Sequence, residues 1–384
     1  MGEPTSIGLI GLGVISEQYL DTLREHPAVR IAAVADLRAE RAAEVAASLD
    51  HARALSVDAL LAADDIDVVV NLTIPAAHAD IARAAIAAGK RVFGEKPLAT
   101  TLDDAKQIVA DAEAAGVEIG SAPDTVLGTG IQTARAAVES GLIGTPTAAT
   151  ATWVSAGHEH WHPNPDFYYR EGGGPLFDMG PYYLTSLVHL LGPVVSVTGD
   201  VSRGRSERVI GSGPRAGESI AVEVDTHVTG TLRHTTGALS TVTFSFDAAG
   251  STASPIEVHG EAGSLAVPDP NNFDGVVRHL APGAHDWVEL PPTAGYVAAG
   301  RGIGVIDMVC GGAEPDGSAG CGASSPGRAS GAMALHVTEI MTALPLSARE
   351  GRRIVLETTA LVPPLVPLTP VEVWRGFPAR GAAG

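Results

Sequence analysis

The fold of the amino-terminal part of the chain is indicated by one stretch, Ile7-Gly8-Leu9-Ile10-Gly11-Leu12-Gly13-Val14-Ile15-Ser16. A short apolar run ends in a turn with two glycines, and the helix-favouring stretch Ser16–Glu25 follows. This order of strand, glycine turn and helix is typical of dinucleotide binding, here with Ser16 in place of the last glycine. Gly11 allows the tight turn, and Gly13 lets the backbone approach a pyrophosphate at the helix amino terminus. The residues expected to contact the dinucleotide are Gly11, Gly13, Val14 and Ile15.

Apolar runs and helical stretches alternate through the first 120 residues. The helical stretches after the first are Leu37–Leu49, Ala76–Ala88 and Leu102–Ala115. Such alternation predicts an α/β domain, a parallel sheet covered by helices on both faces. The predicted strands are Ile7–Ile10, Val29–Ala35, Val68–Leu72, Arg91–Phe93 and Val117–Ile119.

Asp36 follows the second predicted strand. A carboxylate there accepts hydrogen bonds from the adenosine ribose hydroxyls and repels a 2′-phosphate, so NAD is the expected cofactor. Arg38 leaves NADP open as an alternative, because an arginine nearby can accept that phosphate.

The pattern changes after about residue 125. Several runs rich in Thr and Val follow one another with few helices between them, as in the alternating Thr241–Phe246. They predict a second domain of α+β class with a mostly antiparallel sheet. We expect a first domain over residues 1–122 and a second over 123–384, with Gly311–Gly327 as a loop insertion rich in Gly and Ser.

The triplet Glu95-Lys96-Pro97 lies at the carboxyl end of the fifth strand. Ligands of open α/β sheets bind at that edge. A lysine there can stabilise the alkoxide that forms as a hydride leaves an alcohol carbon. Pro97 fixes the backbone, with a cis bond as one option.

Taken in order, these motifs resemble those of the Gfo/Idh/MocA oxidoreductases, the family of glucose–fructose oxidoreductase and inositol dehydrogenase. The residues that carry the resemblance are Gly11-Leu12-Gly13, Asp36, Thr73-Ile74-Pro75 with His78, Glu95-Lys96-Pro97, and Gly172 to Gly180.

The resemblance implies a Rossmann domain, a second domain with a large open-faced sheet, and a tightly held nicotinamide cofactor. It also implies a homodimer or homotetramer packed through that sheet. The cofactor contacts that it adds are Thr73, Ile74, His78, Glu95 and Lys96.

The family's Asp-x-Gly-x-His motif reads Asp178-Met179-Gly180-Pro181-Tyr182 in this chain. Asp178 would orient substrate, and Tyr182 stands where the family has its acid/base histidine. The two are four residues apart and share a helix face if Pro181 leaves the helix continuous. Since a free phenol has a pKa near ~10, Tyr182 needs a cation such as Lys96 to act as a base. The expected catalytic residues are Lys96, Asp178 and Tyr182.

The alternative to Tyr182 is a histidine from His158-Glu159-His160-Trp161-His162. His160 and Trp161 are the substrate contacts expected there. A metal site is not expected, because no second set of ligands accompanies the histidines.

Two further segments are candidates for substrate contact. Asp124 follows the sixth strand and would bind a sugar hydroxyl or cap the next segment. Tyr169, within Tyr168-Tyr169-Arg170, would form an aromatic wall for a sugar ring or belong to a packed loop.

Composition excludes other classes of function. The net charge of −19 disfavours nucleic acid and anionic membranes as partners. Two cysteines, an amino terminus without a basic region and the lack of a run of about 20 apolar residues indicate a cytoplasmic protein.

The expected activity is NAD-dependent hydride transfer to or from a secondary alcohol carbon of a sugar, sugar derivative or cyclitol. One alternative is a glycosidase that uses NAD transiently, with no net NADH. Another is a non-catalytic dinucleotide-binding regulator, which the presence of Lys96 and Asp178 disfavours.

Overall fold

A computed structural model describes residues 3–311 and 326–377. Contacts between residues divide the chain into two compact units. The first unit comprises Met1–Gln132, Pro292–Leu335 and Pro363–Gly384, and the second comprises Thr133–Pro291 and His336–Val362. This division differs from the single boundary expected at residue 122, because two later segments return to the first unit.

The first unit contains a six-stranded parallel sheet in the order β3-β2-β1-β4-β5-β6. The strands are β1 (Thr5–Ile10), β2 (Val29–Ala35), β3 (Arg53–Leu55), β4 (Val68–Asn71), β5 (Arg91–Gly94) and β6 (Ile119–Ser121). The helices that alternate with them are α1 (Val14–Leu23), α2 (Ala39–Ala47), α3 (Val57–Leu61), α4 (His78–Ala87) and α5 (Leu102–Ala115). This arrangement confirms the predicted Rossmann architecture.

The sequence analysis did not predict β3 and α3. β3 has three residues, of which Arg53 and Ala54 are exposed, so no buried apolar run marks it. Leu60 is the buried residue of α3 and packs in the core beneath the sheet.

The second unit is built on a nine-stranded sheet in the order β16-β15-β14-β13-β7-β12-β11-β8-β17. Its strands are β7 (Pro146–Val154), β8 (Val194–Ser202), β11 (His227–His234), β12 (Leu239–Ser245), β13 (Ile256–Gly260), β14 (Gly263–Val267), β15 (Val277–Leu280), β16 (Val288–Leu290) and β17 (Ile354–Val355). β9 (Glu207–Val209) and β10 (Ser219–Ala221) form a separate antiparallel pair. The sheet is mostly antiparallel as predicted, with β7 and β12 running parallel.

One long helix packs against the middle of this sheet. The helices α6 (Thr129–Glu139) and α7 (Gly174–Leu191) precede and follow β7, and α7 contacts β7, β11 and β12. In β12, Ser240, Val242 and Phe244 are buried, whereas Leu239 and Thr241 are exposed. The alternation that the sequence shows therefore separates the two faces of the sheet.

Three later helices follow among the described residues: α8 (Ile303–Cys310), α9 (Gly331–Glu350) and α10 (Val371–Trp374). Cys310 is buried, whereas Cys321 and most of the expected insertion Gly311–Gly327 lie outside the described residues. Among the helices described, none has the length and apolar character needed to cross a bilayer.

The segment after residue 363 is anchored to the first unit through Trp374. Its ring is fully buried, and its Nε1–H donates to the carbonyl of Val297 at 3.0 Å. His26 Nε2 lies 2.8 Å from the Trp374 carbonyl oxygen, and the two rings stack. The aromatic side chain thus ties the end of the chain to the start of the Rossmann domain.

We expect Trp374→Ala to lower the free energy of unfolding by about 3–5 kcal/mol, because it removes a fully buried aromatic ring. Trp287→Ala, at a partly exposed tryptophan, should cost less than about 1 kcal/mol. Urea unfolding followed by circular dichroism measures both. Equal, small losses would show that the terminal segment does not stabilise the first unit.

Candidate active site

Gly11 occupies a position that only glycine can fill. Its φ is +92°, in the left-handed region. A Cβ on Gly11 would lie 2.7 Å from the carbonyl of Leu72 and from the amide nitrogen of Thr73. The turn after β1 therefore passes directly against the end of β4.

Gly13 opens the space in front of α1. It caps the helix amino terminus, and a Cβ built on it meets no atom within 4 Å. Ser16, in the position of the last fingerprint glycine, is buried and donates its hydroxyl to the Gly13 carbonyl at 2.6 Å. Val14 is exposed and Ile15 is partly buried. Open space against unsatisfied helix N–H groups fits the pyrophosphate of a dinucleotide.

Asp36 holds an ionised carboxylate beside this turn. It accepts the N–H groups of Leu12 at 2.8 Å and Arg38 at 2.9 Å. Burial alone would raise the pKa of Asp36, but these two donors and the Arg38 guanidinium hold it below its usual value. The Arg38 Nε lies 3.7 Å from the carboxylate and its side chain is largely exposed. This arrangement fits ribose hydroxyls better than a 2′-phosphate.

Three exposed apolar side chains lie close behind strand ends at this edge. Val14, Leu37 and Ile74 follow β1, β2 and β4, and all three are largely exposed. Parallel strands end at one edge of the sheet, so these side chains lie at the edge where open α/β sheets bind their ligands. The sequence analysis did not select Leu37, because one exposed leucine at a helix start carries no signal by itself.

His78 is buried and fixes backbone rather than facing the open edge. Its Nδ1 lies 2.6 Å from the carbonyl oxygen of Pro97, and its Nε2 lies 3.0 Å from that of Thr73. Thr73 in turn donates its hydroxyl to Asn71 Oδ1 at 2.7 Å. With both ring nitrogens against backbone carbonyl oxygens, His78 joins the turn after β4 to the turn after β5.

Glu95 is also buried, directly before Lys96. Its carboxylate accepts the Tyr19 hydroxyl at 2.8 Å and the Lys96 N–H at 3.0 Å. Burial, followed by the charge of Glu95, raises the pKa of Tyr19 well above its usual value, so Tyr19 is the donor. The Lys96–Pro97 bond is cis, and Lys96 itself is partly buried. Glu95 thus fixes the backbone of Lys96 through this hydrogen bond.

For Asp124 the structure favours the structural role over substrate contact. Its side chain is fully buried, and Oδ2 accepts the N–H groups of Gly302 at 2.8 Å and Gly304 at 3.1 Å. These donors belong to the amino terminus of α8, a helix far along the chain. Burial raises the pKa of Asp124 to about 6, opposed by the Arg301 guanidinium.

In the second unit, α7 runs through Pro181 without a break, so Asp178 and Tyr182 lie one turn apart on the helix. Asp178 is partly exposed, whereas Tyr182 is only 5% exposed. Pro181 therefore leaves the helix continuous, as the shared face of Asp178 and Tyr182 requires. The low exposure makes Tyr182 the less accessible of the two.

Asp178 has a hydrogen-bond partner in His158, from the loop after β7. His158 Nε2 lies 2.8 Å from Asp178 Oδ2, and His158 is 8% exposed. Its other nitrogen, Nδ1, is buried without a hydrogen-bond partner among the described residues. The loop considered as an alternative to Tyr182 therefore supplies an Asp–His pair, though through a different histidine from the expected substrate contact His160.

A buried ion network holds the His158 loop. Glu159 pairs with Arg208 Nη1 at 2.7 Å and accepts the hydroxyl of Tyr169. Tyr169 is fully buried, and burial, with Glu159, raises its pKa. Gly157, at φ +107°, leaves no room for a Cβ beside these groups. The expectation that Tyr169 contacts substrate is corrected, because its hydroxyl and ring are enclosed in this network.

His160 and Trp161 remain accessible, since both side chains are more than half exposed. Within residues 3–311 and 326–377, no three His, Cys, Asp or Glu side chains come together as a metal site. The absence of a metal requirement stays a prediction.

Comparison with protein families decides the assignment. Residues 5–122 match an oxidoreductase family with an NAD-binding Rossmann fold, and residues 131–266 match the GFO/IDH/MocA C-terminal domain. The chain belongs to the Gfo/Idh/MocA family. Its first unit is therefore an NAD-binding domain, and the predicted cofactor is confirmed as NAD.

The aligned share of this Gfo/Idh/MocA member differs from one relative to another. It is 35% identical over 146 residues to inositol 2-dehydrogenase of Pseudomonas syringae pv. syringae, which is 36% of this chain and 43% of that protein. It is 27% identical over 379 residues to D-apiose dehydrogenase of Paraburkholderia graminis, which is 94% of this chain and 92% of that protein.

Among solved structures, an NAD binding oxidoreductase from Klebsiella pneumoniae is similar over the whole fold. The TM-score is 0.78 with 25% sequence identity, and the match covers 92% of this chain and all of that chain. The pairing of a Rossmann sheet with a large carboxy-terminal sheet is confirmed.

The two glycines should respond differently to the same added methyl group. Gly11→Ala should lower the free energy of unfolding by more than about 2 kcal/mol, because of its φ and the contact with Leu72. Gly13→Ala should change stability by less than about 1 kcal/mol, yet weaken NAD binding about tenfold by filling the open space. Thermal unfolding and calorimetric titration separate these effects. If Gly13→Ala binds NAD as tightly as the wild type does, the pyrophosphate does not lie against Gly13.

We expect NAD to bind at least about tenfold more tightly than NADP, because Asp36 accepts from ribose hydroxyls and repels phosphate. Asp36→Ala should reduce that preference, whereas Asp21→Ala, at an exposed acid on α1, should not. Calorimetry with both dinucleotides tests this. If the unaltered protein binds NADP more tightly than NAD, Arg38 recognises the 2′-phosphate and Asp36 does not exclude it.

Proposed function

We propose that this chain catalyses the NAD-linked oxidation of a secondary alcohol on a sugar or cyclitol, and its reversal. The observation that carries the proposal is the 2.8 Å hydrogen bond between His158 and Asp178. Inositol 2-dehydrogenase and D-apiose dehydrogenase are named for a cyclitol and a sugar, which supports the substrate class. Bound NAD supplies the acceptor for the hydride.

An alcohol must lose its hydroxyl proton as it is oxidised, so a base is required. In this proposal Nε2–H of His158 donates a hydrogen bond to the Asp178 carboxylate, which leaves the lone pair on Nδ1. Nδ1 has no partner among the described residues, and we assign the substrate proton to it; because this nitrogen is buried, the rings packed around His158 must part when the alcohol binds. Asp178 then stabilises the imidazolium, as a carboxylate does beside any histidine base.

Other residues take supporting roles in this proposal. Lys96, which follows β5, stabilises negative charge developing on the substrate oxygen. His160, exposed on the same loop as His158, donates or accepts a hydrogen bond to another hydroxyl. Thr73 and Glu95 shape the cofactor side through the backbone contacts described above. Tyr182 stays the second candidate for the acid/base, one turn after Asp178.

His158→Ala should lower kcat about 10²–10⁴-fold while NAD affinity stays unchanged, because only the proton acceptor is lost. Tyr182→Phe should lower kcat by less than about threefold. The substrate for these measurements is identified by screening polyols, cyclitols and free sugars, with NADH absorbance and product formation followed together.

His285→Ala, at an exposed histidine of the second unit, is the matched control and should behave as wild type. If Tyr182→Phe removes the activity and His158→Ala keeps it, the acid/base is the phenol. Product formed without net NADH would instead support the glycosidase that uses NAD transiently.

A further inference from the structure

Aromatic residues are scarce in this chain, at 4%, yet they are concentrated around His158. The rings of Trp153, Trp161, Tyr168 and Phe246 all lie within 6 Å of the His158 ring, centroid to centroid. Part of this cluster reaches solvent. We call that part the aromatic surface; it consists of Trp161, His162, Phe167 and Tyr168.

The aromatic surface leads outward from the Asp–His pair. The Trp161 ring is 5.1 Å from His158, His162 is 5.4 Å from Trp161, and Phe167 is 5.5 Å from His162. The exposed fraction is 8% at His158, 59% at Trp161 and 51% at Phe167. Two large exposed rings therefore stand within two ring contacts of His158.

The backbone that presents these rings is held in place. Ser212 Oγ donates to the Trp161 carbonyl at 2.7 Å, and the Trp161 N–H donates to the His158 carbonyl at 3.2 Å. Asp166, directly before Phe167, pairs with Arg215 at 2.5 Å. Large apolar rings that are fixed in water, rather than folded inward, mark a binding surface.

We propose that the aromatic surface is a subsite for a second ring attached to the reacting sugar or cyclitol, so that the preferred substrate is a glycoside. This inference rests on the proposed function, because it takes His158 as the place where the alcohol reacts. The apolar face of a sugar or aryl ring stacks on Trp161 and Phe167 while hydroxyls face solvent. A stable protein interface buries about 800 Å² on each partner, which is more surface than these few side chains offer.

Matched pairs of substrates test the subsite. Glucose, galactose and mannose are compared with their 4-nitrophenyl glycosides, using kcat/KM with NAD and calorimetric titration of the NAD-saturated protein. In the wild type the glycoside should be preferred about tenfold in at least one pair. Trp161→Ala should reduce that ratio about fivefold or more, and Phe167→Ala should reduce it less. Trp287→Ala, at a tryptophan of the same unit outside the aromatic surface, should keep the wild-type ratio.

Absence of a glycoside preference in both measurements would overturn the subsite, as would a preference that survives Trp161→Ala. Glycoside binding that depends on Trp161, without turnover of any probe, would support the subsite and count against the proposed function. Sedimentation adds a separate outcome: if Trp161→Ala turns a dimer into a monomer and no probe is preferred, a second copy covers the surface and the inference is wrong.

Discussion

Parallel strands of one sheet all end at the same edge, and the first unit depends on that constraint. It brings Gly11, Asp36, Thr73 and Glu95 together although they come from four different strand ends. The packing is tight, since a Cβ on Gly11 would lie only 2.7 Å from the backbone after β4. A cofactor can therefore be recognised by backbone N–H groups, one carboxylate and a few apolar side chains, without a dedicated binding loop.

The second unit assembles its pair of Asp178 and His158 in another way. The aspartate lies on α7, where the family motif places it, but its histidine comes from a loop twenty residues earlier. That loop is held by an ion pair between Glu159 and Arg208, both almost completely buried. Burying two charges is costly unless each is well paired, and here the Tyr169 hydroxyl and the Ala156 carbonyl complete the network. A rigid charged support beneath an aromatic loop is what keeps the imidazole aimed at Asp178.

Local signals in the sequence predicted much of this. Strand and helix alternation predicted the Rossmann sheet, and the glycine turn with Asp36 predicted its cofactor. Short elements escaped, because Arg53–Leu55 has no apolar periodicity. Burial of single polar residues also escaped: Asp124 and Tyr169 have the side chains of substrate contacts, and only the packing of distant segments encloses them. The pairing of His158 with Asp178 depends on a tertiary contact that spacing along the chain does not encode.

The ring packing around His158 has a spectroscopic consequence. Two of the four tryptophans, Trp153 and Trp161, lie with ring centroids 5.8 Å and 5.1 Å from its imidazole. Indole emission is sensitive to the packing around the ring, so a rearrangement of the loop that carries His158 changes the light emitted by these two side chains. The molecule therefore contains an intrinsic optical reporter of this loop, readable without label or substrate.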